Sequence, residues 1–131
     1  MFGWMRRTPR SVVILACGIA ACLLFGGAVA HITDLLRHGL RPYDWAPGWL
    51  NFYWSSLAVL DPFVAVLLLR GKRRGANLAC VIVATDIAAN WYAVYGIQHS
   101  DFLAKPDLQR LTAFTLLVLG AAPFLRRYLA N

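Results

Sequence analysis

The sequence predicts an all-α integral membrane protein, a four-helix bundle formed by residues 1–131 as a single membrane domain. Hydrophobic residues make up 60% of the chain, and the mean hydropathy is +0.56. Charged residues make up only 15%, with no glutamate, against about a quarter in ordinary soluble domains. Four apolar runs each have about the twenty helical residues that cross a hydrocarbon core. The basic residues lie mainly at the ends of these runs.

Each apolar run is bounded by polar residues, glycine or proline, and each predicts one helix. The first is rich in Ala, Gly and Cys, small residues that let helices approach closely in lipid. A basic turn, RGKRRG, separates the second from the third. Loops that contain proline and aspartate form the other two connections. The predicted helices cover residues 11–36, 49–69, 76–97 and 108–129.

The basic residues predict the orientation. Nine fall near the two termini and the central turn, and four fall on the other side of a four-helix bundle. Because cytoplasmic loops are enriched in Lys and Arg, both termini are predicted in the cytoplasm, and the bacterial inner membrane is the predicted location. The net charge of +7 does not indicate nucleic acid, since the cations form no single stripe. The nine are Arg6, Arg7, Arg10, Arg70, Lys72, Arg73, Arg74, Arg126 and Arg127; the four are Arg37, Arg41, Lys105 and Arg110.

No metal or cofactor is indicated. The three cysteines, Cys17, Cys22 and Cys80, all lie within apolar runs. The chain has no C-x-x-C motif and no Cys/His pair with the spacing of a metal site. Packing residues are therefore the expected role of these thiols.

Two aspartates lie near the middle of predicted spans, Asp61 in the second helix and Asp86 in the third. Counted from the central turn, an antiparallel pair rising about 1.5 Å per residue brings them to similar depth. An ionisable residue inside the membrane is costly and is a functional-site hypothesis by default. The alternative is a structural role, in which each carboxyl group joins helices by hydrogen bonds.

Helical spacing adds ligand-binding candidates around these acids. Ala89 and Asn90 share the face of Asp86, and Trp54 shares the face of Asp61. Among the Trp and Tyr residues, Trp54 and Trp91 are the nearest to the two acids in sequence. We therefore predict a pocket lined by Trp54, Ala89, Asn90 and Trp91, beside Asp61 and Asp86.

His31 and Asp34 lie one helical turn apart toward the end of the first helix. A histidine next to a carboxylate can hold or pass a proton near neutral pH. The alternative is a histidine that faces lipid headgroups, with Asp34 at the helix end. The candidate catalytic set is thus His31, Asp34, Asp61 and Asp86.

Four short stretches resemble the EXPERA group, which includes the emopamil-binding sterol isomerase and the sigma-two receptor. The likeness extends over residues 25–125. His31 to Asp34 is similar to that family's His-x-x-x-Glu with one residue fewer. Asp61-Pro62 and its apolar run are similar to a Gly-Pro stretch. The remaining two stretches are Asp86 to Asn90 followed by Trp-Tyr, and Ala122-Pro123.

The resemblance implies a hydrophobic cavity, open to the bilayer, that holds a sterol-like or amine ligand near acidic side chains. The chain departs from the isomerase at two positions. Tyr53 or Trp54 stands where the isomerase has a glutamate, and Thr115 stands near the position of an asparagine. Because fold does not carry function with it, isomerase chemistry does not follow from the resemblance.

The predicted function is binding of a hydrophobic sterol- or lipid-like molecule, or an amine, in an acidic pocket near the midplane. Whether an isomerase-like reaction follows is left open. The first alternative is an accessory subunit of a larger membrane complex, or a homodimer, docked through small-residue faces. A proton-coupled small transporter is a second alternative, although such exporters use a glutamate in the first helix, and this chain has none. The expected partners are the lipid bilayer and the hydrophobic ligand, without nucleic acid.

Overall fold

Four long helices form the protein in a computed structural model that describes residues 10–130. They are α1 (Arg10–His38), α2 (Gly48–Leu69), α3 (Arg73–Tyr92) and α4 (Pro106–Leu125). A π-helical turn, Ala93–Ile97, continues α3, and short 3₁₀ turns cover Phe102–Ala104 and Arg126–Tyr128. Within the described residues there is no strand. The prediction of an all-α, four-helix membrane bundle is confirmed, since each of the four helices is long and apolar enough to cross a membrane.

Local sequence explains where the helices begin and end. Gly39, directly after α1, has a φ of +81°, and Gly71, after α2, has a φ of +67°. These left-handed conformations suit glycine, which lacks a Cβ. A glycine in this conformation just after the last turn is a common way for a helix to end. Pro106 occupies the first turn of α4, where the missing N–H costs no hydrogen bond.

The helices pack in chain order. α1 packs along α2, and α3 packs against both α2 and α4. Gly75 marks the closest approach of α2 and α3, because a Cβ there would lie 2.8 Å from the Leu68 backbone nitrogen. The most deeply buried large side chains are Leu50, Leu57, Val64 and Val83. α1 and α4 hardly touch, and a cleft separates them.

The C-terminal segment is attached to the central turn. The Arg73 backbone N–H donates to the Ala130 carbonyl at 2.6 Å, and the Ala130 N–H donates to the Gly71 carbonyl at 2.8 Å. The Arg73 guanidinium also donates to the Arg126 carbonyl through Nε at 3.1 Å. Arg10 lies at the same end, which we call the basic end. Arg6 and Arg7 belong to the predicted basic set but lie outside the described residues.

The start of α3 changes the predicted depth of the two acids. The helix begins at Arg73, before the predicted start at residue 76, because the turn is completed within residues 70–72. Asp86 is thirteen residues into α3, whereas Asp61 is eight residues from the end of α2. At about 1.5 Å per residue, Asp86 lies roughly one helical turn farther from the basic end than Asp61. The two acids therefore lie about one helical turn apart in depth, farther apart than the similar depth predicted from the central turn.

Candidate functional site

A cavity of about 500 Å³ lies toward the end opposite the basic end. Residues of α1, α2 and α3 form its walls, together with the loop before α2 and the start of α4. We call it the aromatic cavity. Among its lining residues are Gly27, His31, Tyr43, Trp54, Asp86 and Asn90.

Asp86 is held at the wall of this cavity by neutral donors. The Trp54 indole Nε1–H donates to Asp86 Oδ1 at 3.2 Å, and the Asn90 amide donates to the same oxygen at 2.8 Å. The Asn90 amide also donates to the Asp86 backbone carbonyl at 2.8 Å. The one salt bridge among residues 10–130 lies at the surface, where it joins Arg110 and Asp107, and does not involve Asp86. Asp86 is therefore oriented by hydrogen bonds and makes no salt bridge within the described chain, although Lys105 lines the same cavity.

Asp61 lies behind the cavity rather than in its wall. Only 5% of the residue is exposed, and its Oδ1 has no hydrogen-bond partner in the described structure. A Cβ placed on Gly27 would lie 2.9 Å from Asp61 Oδ2. Gly27 itself lines the cavity, so it separates the carboxyl group from the cavity and leaves room for it. A buried polar atom without a partner is rare and calls for an explanation.

Tyr43 connects the predicted pair His31 and Asp34. Its hydroxyl donates to Asp34 Oδ2 at 2.6 Å, and it lies 3.2 Å from His31 Nδ1. Because the single hydroxyl proton is given to the carboxylate, the tyrosine oxygen accepts from the Nδ1–H of His31. This leaves His31 Nε2 as the unprotonated nitrogen when the ring is neutral. The two residues that sequence spacing paired directly are thus joined through a third.

Burial, reinforced by the hydrogen bond to Asp34 and by the charges of Asp34 and Asp86, raises the pKa of Tyr43 above its usual value. Tyr43 lies in the loop between α1 and α2 and keeps its hydroxyl proton throughout the physiological pH range. It therefore acts as a fixed donor to Asp34 that connects the carboxylate to His31.

Asn51 holds the loop that carries Tyr43. Its Oδ1 accepts from the Tyr43 N–H at 2.8 Å, and its amide donates to the Tyr43 carbonyl at 2.7 Å. Longer bonds reach the carbonyls of Ala46 and Pro47. The side chain is 97% buried. Asn51 is absent from the site predicted from sequence, although an asparagine in the first turn of an apolar helix, directly after a proline-containing loop, was an available signal.

Aromatic rings surround Trp54 on the loop side. The Tyr43 ring meets it edge-on, with centroids 5.0 Å apart, and the Trp45 ring lies 6.0 Å away. All three rings line the cavity. Ring faces next to a carboxylate form an environment that attracts organic cations.

Two predicted ligand-binding residues lie elsewhere. Ala89 is buried in the core between helices. Trp91 lies on another side of α3, where its ring stacks on Tyr95 and Phe102 and its indole N–H donates to Thr112. Neither side chain lines the aromatic cavity. Trp54 and Asn90, in contrast, meet at Asp86.

The π-helical turn after α3 forms part of the cavity wall. The Gln98 N–H donates to the Ala93 carbonyl at 2.8 Å, five residues back. Ala93, Val94 and Gln98 all line the cavity. Single π turns of this kind are frequent at functional sites because they shift side chains out of α-helical register.

The comparisons with known proteins identify no relative: no family model matches, and neither the curated proteins nor the solved structures give a match. The resemblance to the EXPERA group therefore stays a prediction based on short stretches. Within residues 10–130, no three His, Cys, Asp or Glu side chains are grouped as a metal site would require.

Proposed function

We propose that this protein binds a hydrophobic, lipid-like molecule bearing an amine, with Asp86 as the counter-charge to its ammonium group. One observation carries this proposal: Asp86 lines a cavity, and within the described residues its carboxyl group receives hydrogen bonds only from the neutral side chains of Trp54 and Asn90. An ionisable side chain at membrane depth is expensive and usually serves a site. A ligand cation would supply the salt-bridge partner that residues 10–130 do not provide.

The cavity walls support an amphipathic ligand. Tyr43, Trp45 and Trp54 offer ring faces to a cation or a rigid hydrocarbon. His31 lines the cavity, and its Nε2, which is not engaged by Tyr43, is the nitrogen that could exchange a proton with a bound amine. We assign to Asp34 and Tyr43 the role of fixing the tautomer of the His31 imidazole. The Asp61 carboxyl group, behind Gly27, would make the surroundings of the bound amine more polar.

We further propose that the basic end faces the cytoplasm of a bacterial cell and that the aromatic cavity opens at the other surface. The basic asymmetry supports this orientation. Exposed Trp and Tyr side chains near the cavity suit a membrane interface. They include Trp45, Trp49, Tyr92 and Tyr95.

The test is binding of dodecyldimethylamine to the purified full chain in an uncharged detergent, measured by calorimetry beside dodecanol. We expect the amine to bind more tightly than the alcohol, because only the amine gains the charge-assisted hydrogen bond. Asp86→Asn should weaken amine binding about 10-fold to 100-fold and leave alcohol binding unchanged.

The matched control is Asp44→Asn. Asp44 is exposed in the loop before α2 and does not line the cavity, so the same change of net charge should leave amine binding intact. Equal weakening by both variants would show a general charge effect and refute the proposal. Absence of amine binding together with a stoichiometric co-purified protein would favour the accessory-subunit alternative instead.

A further inference from the structure

A second cavity, of about 650 Å³, lies at the basic end between α1, the end of α2 and the C-terminal segment. We call it the basic cavity. Arg10 and Arg70 line it together with the apolar residues Val13, Ile14 and Leu69. The two cavities have no lining residue in common, so this inference does not depend on the proposed ligand of the aromatic cavity.

Among residues 10–130, the cations at this end have no acidic side chain as a partner. All six aspartates of the chain lie between residues 34 and 107, and none belongs to the segments that form the basic end. The Arg73 guanidinium is occupied by the carbonyls of Arg126 and Leu129. Arg10 and Arg70, in contrast, make no side-chain hydrogen bond or salt bridge within the described chain. Their guanidinium groups are therefore available to an anion, and the fork of donors suits phosphate.

An apolar cleft adjoins the basic cavity. It has a volume of about 320 Å³, lies between α1 and α4, and has Ala76 and Ala79 of α3 in its wall. Cys17 and Leu68 line both spaces, so the cleft continues from the cavity toward the middle of the bundle. Polar atoms contribute almost nothing to its surface. In a bilayer this shape and polarity suit an acyl chain.

We propose that the basic cavity binds the headgroup of an anionic phospholipid, whose phosphate contacts Arg10 and Arg70 and whose acyl chain occupies the α1–α4 cleft. Basic pockets between membrane helices on the cytoplasmic side are typical sites for anionic headgroups. A second copy of this chain is a poor occupant, because its corresponding end carries the same uncompensated charge. Free phosphate would use the arginines but not the cleft.

The experiment is native mass spectrometry of the full chain in an uncharged detergent, titrated with dioleoylphosphatidylglycerol, dioleoylphosphatidylcholine and inorganic phosphate. We expect one phosphatidylglycerol to bind at concentrations where phosphatidylcholine and phosphate do not. Dioctanoylphosphatidylglycerol should bind more weakly than the dioleoyl lipid, because its short chains fill less of the cleft. Equal binding of inorganic phosphate, or equal binding of both chain lengths, would overturn the proposal.

Two double variants separate the cavity from general charge. Arg10→Gln with Arg70→Gln should weaken phosphatidylglycerol binding about 30-fold, since each basic residue near an anionic headgroup contributes roughly fivefold. Arg74→Gln with Arg127→Gln removes the same charge at the same end, from exposed residues outside the cavity, and should have a much smaller effect. Equal weakening in both pairs would show diffuse attraction rather than a site and would refute the assignment.

Discussion

Removing the Asn51 side chain should release the loop that carries Tyr43. Asn51→Ala deletes two short hydrogen bonds, at 2.8 and 2.7 Å, and two longer ones. Each net hydrogen bond contributes about 1 kcal/mol, and a buried group left without a partner costs more. The Tyr43 N–H loses its partner, whereas the carbonyls of Tyr43, Ala46 and Pro47 each keep another donor. Because the deleted side chain belongs to a residue that is 97% buried, we expect the free energy of unfolding to fall by roughly 2–4 kcal/mol.

The measurement is unfolding of the purified protein in a graded series of denaturing detergent, with Asn77→Ala as the control. Asn77 is exposed on α3 and should change stability little. Asn51→Asp keeps the acceptor for the Tyr43 N–H but places a carboxylate against three carbonyls, so it should be at least as destabilising as alanine. Unchanged stability in both Asn51 variants would refute the role assigned to this residue.

Three further outcomes follow from the packing and the charge distribution. Gly75→Ala should destabilise the protein strongly, because the new Cβ would lie 2.8 Å from the backbone of α2. Gly120→Ala should not, because nothing lies within 4 Å of a Cβ there, and equal stability of the two variants would contradict this. Ala89→Leu should overpack the core and cost about 1–3 kcal/mol, unlike Ala84→Leu on the exposed face, and equal stability would refute the buried placement. A reporter fused after the last residue should be active in the cytoplasm and one inserted near Ser100 on the other side; the reverse pattern would exclude the proposed orientation.

The number and extent of the helices could be predicted because hydrocarbon thickness sets a minimum apolar length. The start of α3 could not. The six residues of the basic turn contain two glycines, and either could have ended α2 or begun the next helix. Tertiary contact decides between them: Gly71 takes the positive φ, and Gly75 is needed inside α3 for its approach to Leu68. Depth along a helix pair depends on that choice.

The candidate site was partly predictable for a similar reason. Asp86 and Asn90, four residues apart, must share a face in any helix, and the structure joins them by a hydrogen bond. Periodicity does not reveal which neighbouring helix that face meets, so Trp91 and Ala89 could not be separated from Trp54 by spacing alone. Tyr43 lies in a loop, and its place between His31 and Asp34 depends on the path of that loop.

The positions of the two acids give them different parts in the ligand binding that we propose. A molecule in the aromatic cavity reaches Asp86 directly, because the carboxylate forms part of the wall. Toward Asp61 it meets Gly27, whose missing side chain leaves just enough room for the Asp61 carboxyl group. A ligand with the bulk of a lipid cannot pass that contact without displacing α1 from α2, the pair of helices that pack most extensively. In the proposed function, Asp86 is therefore the group that would select a charged ligand, and Asp61 would act on that ligand only across Gly27, through its electrostatic field.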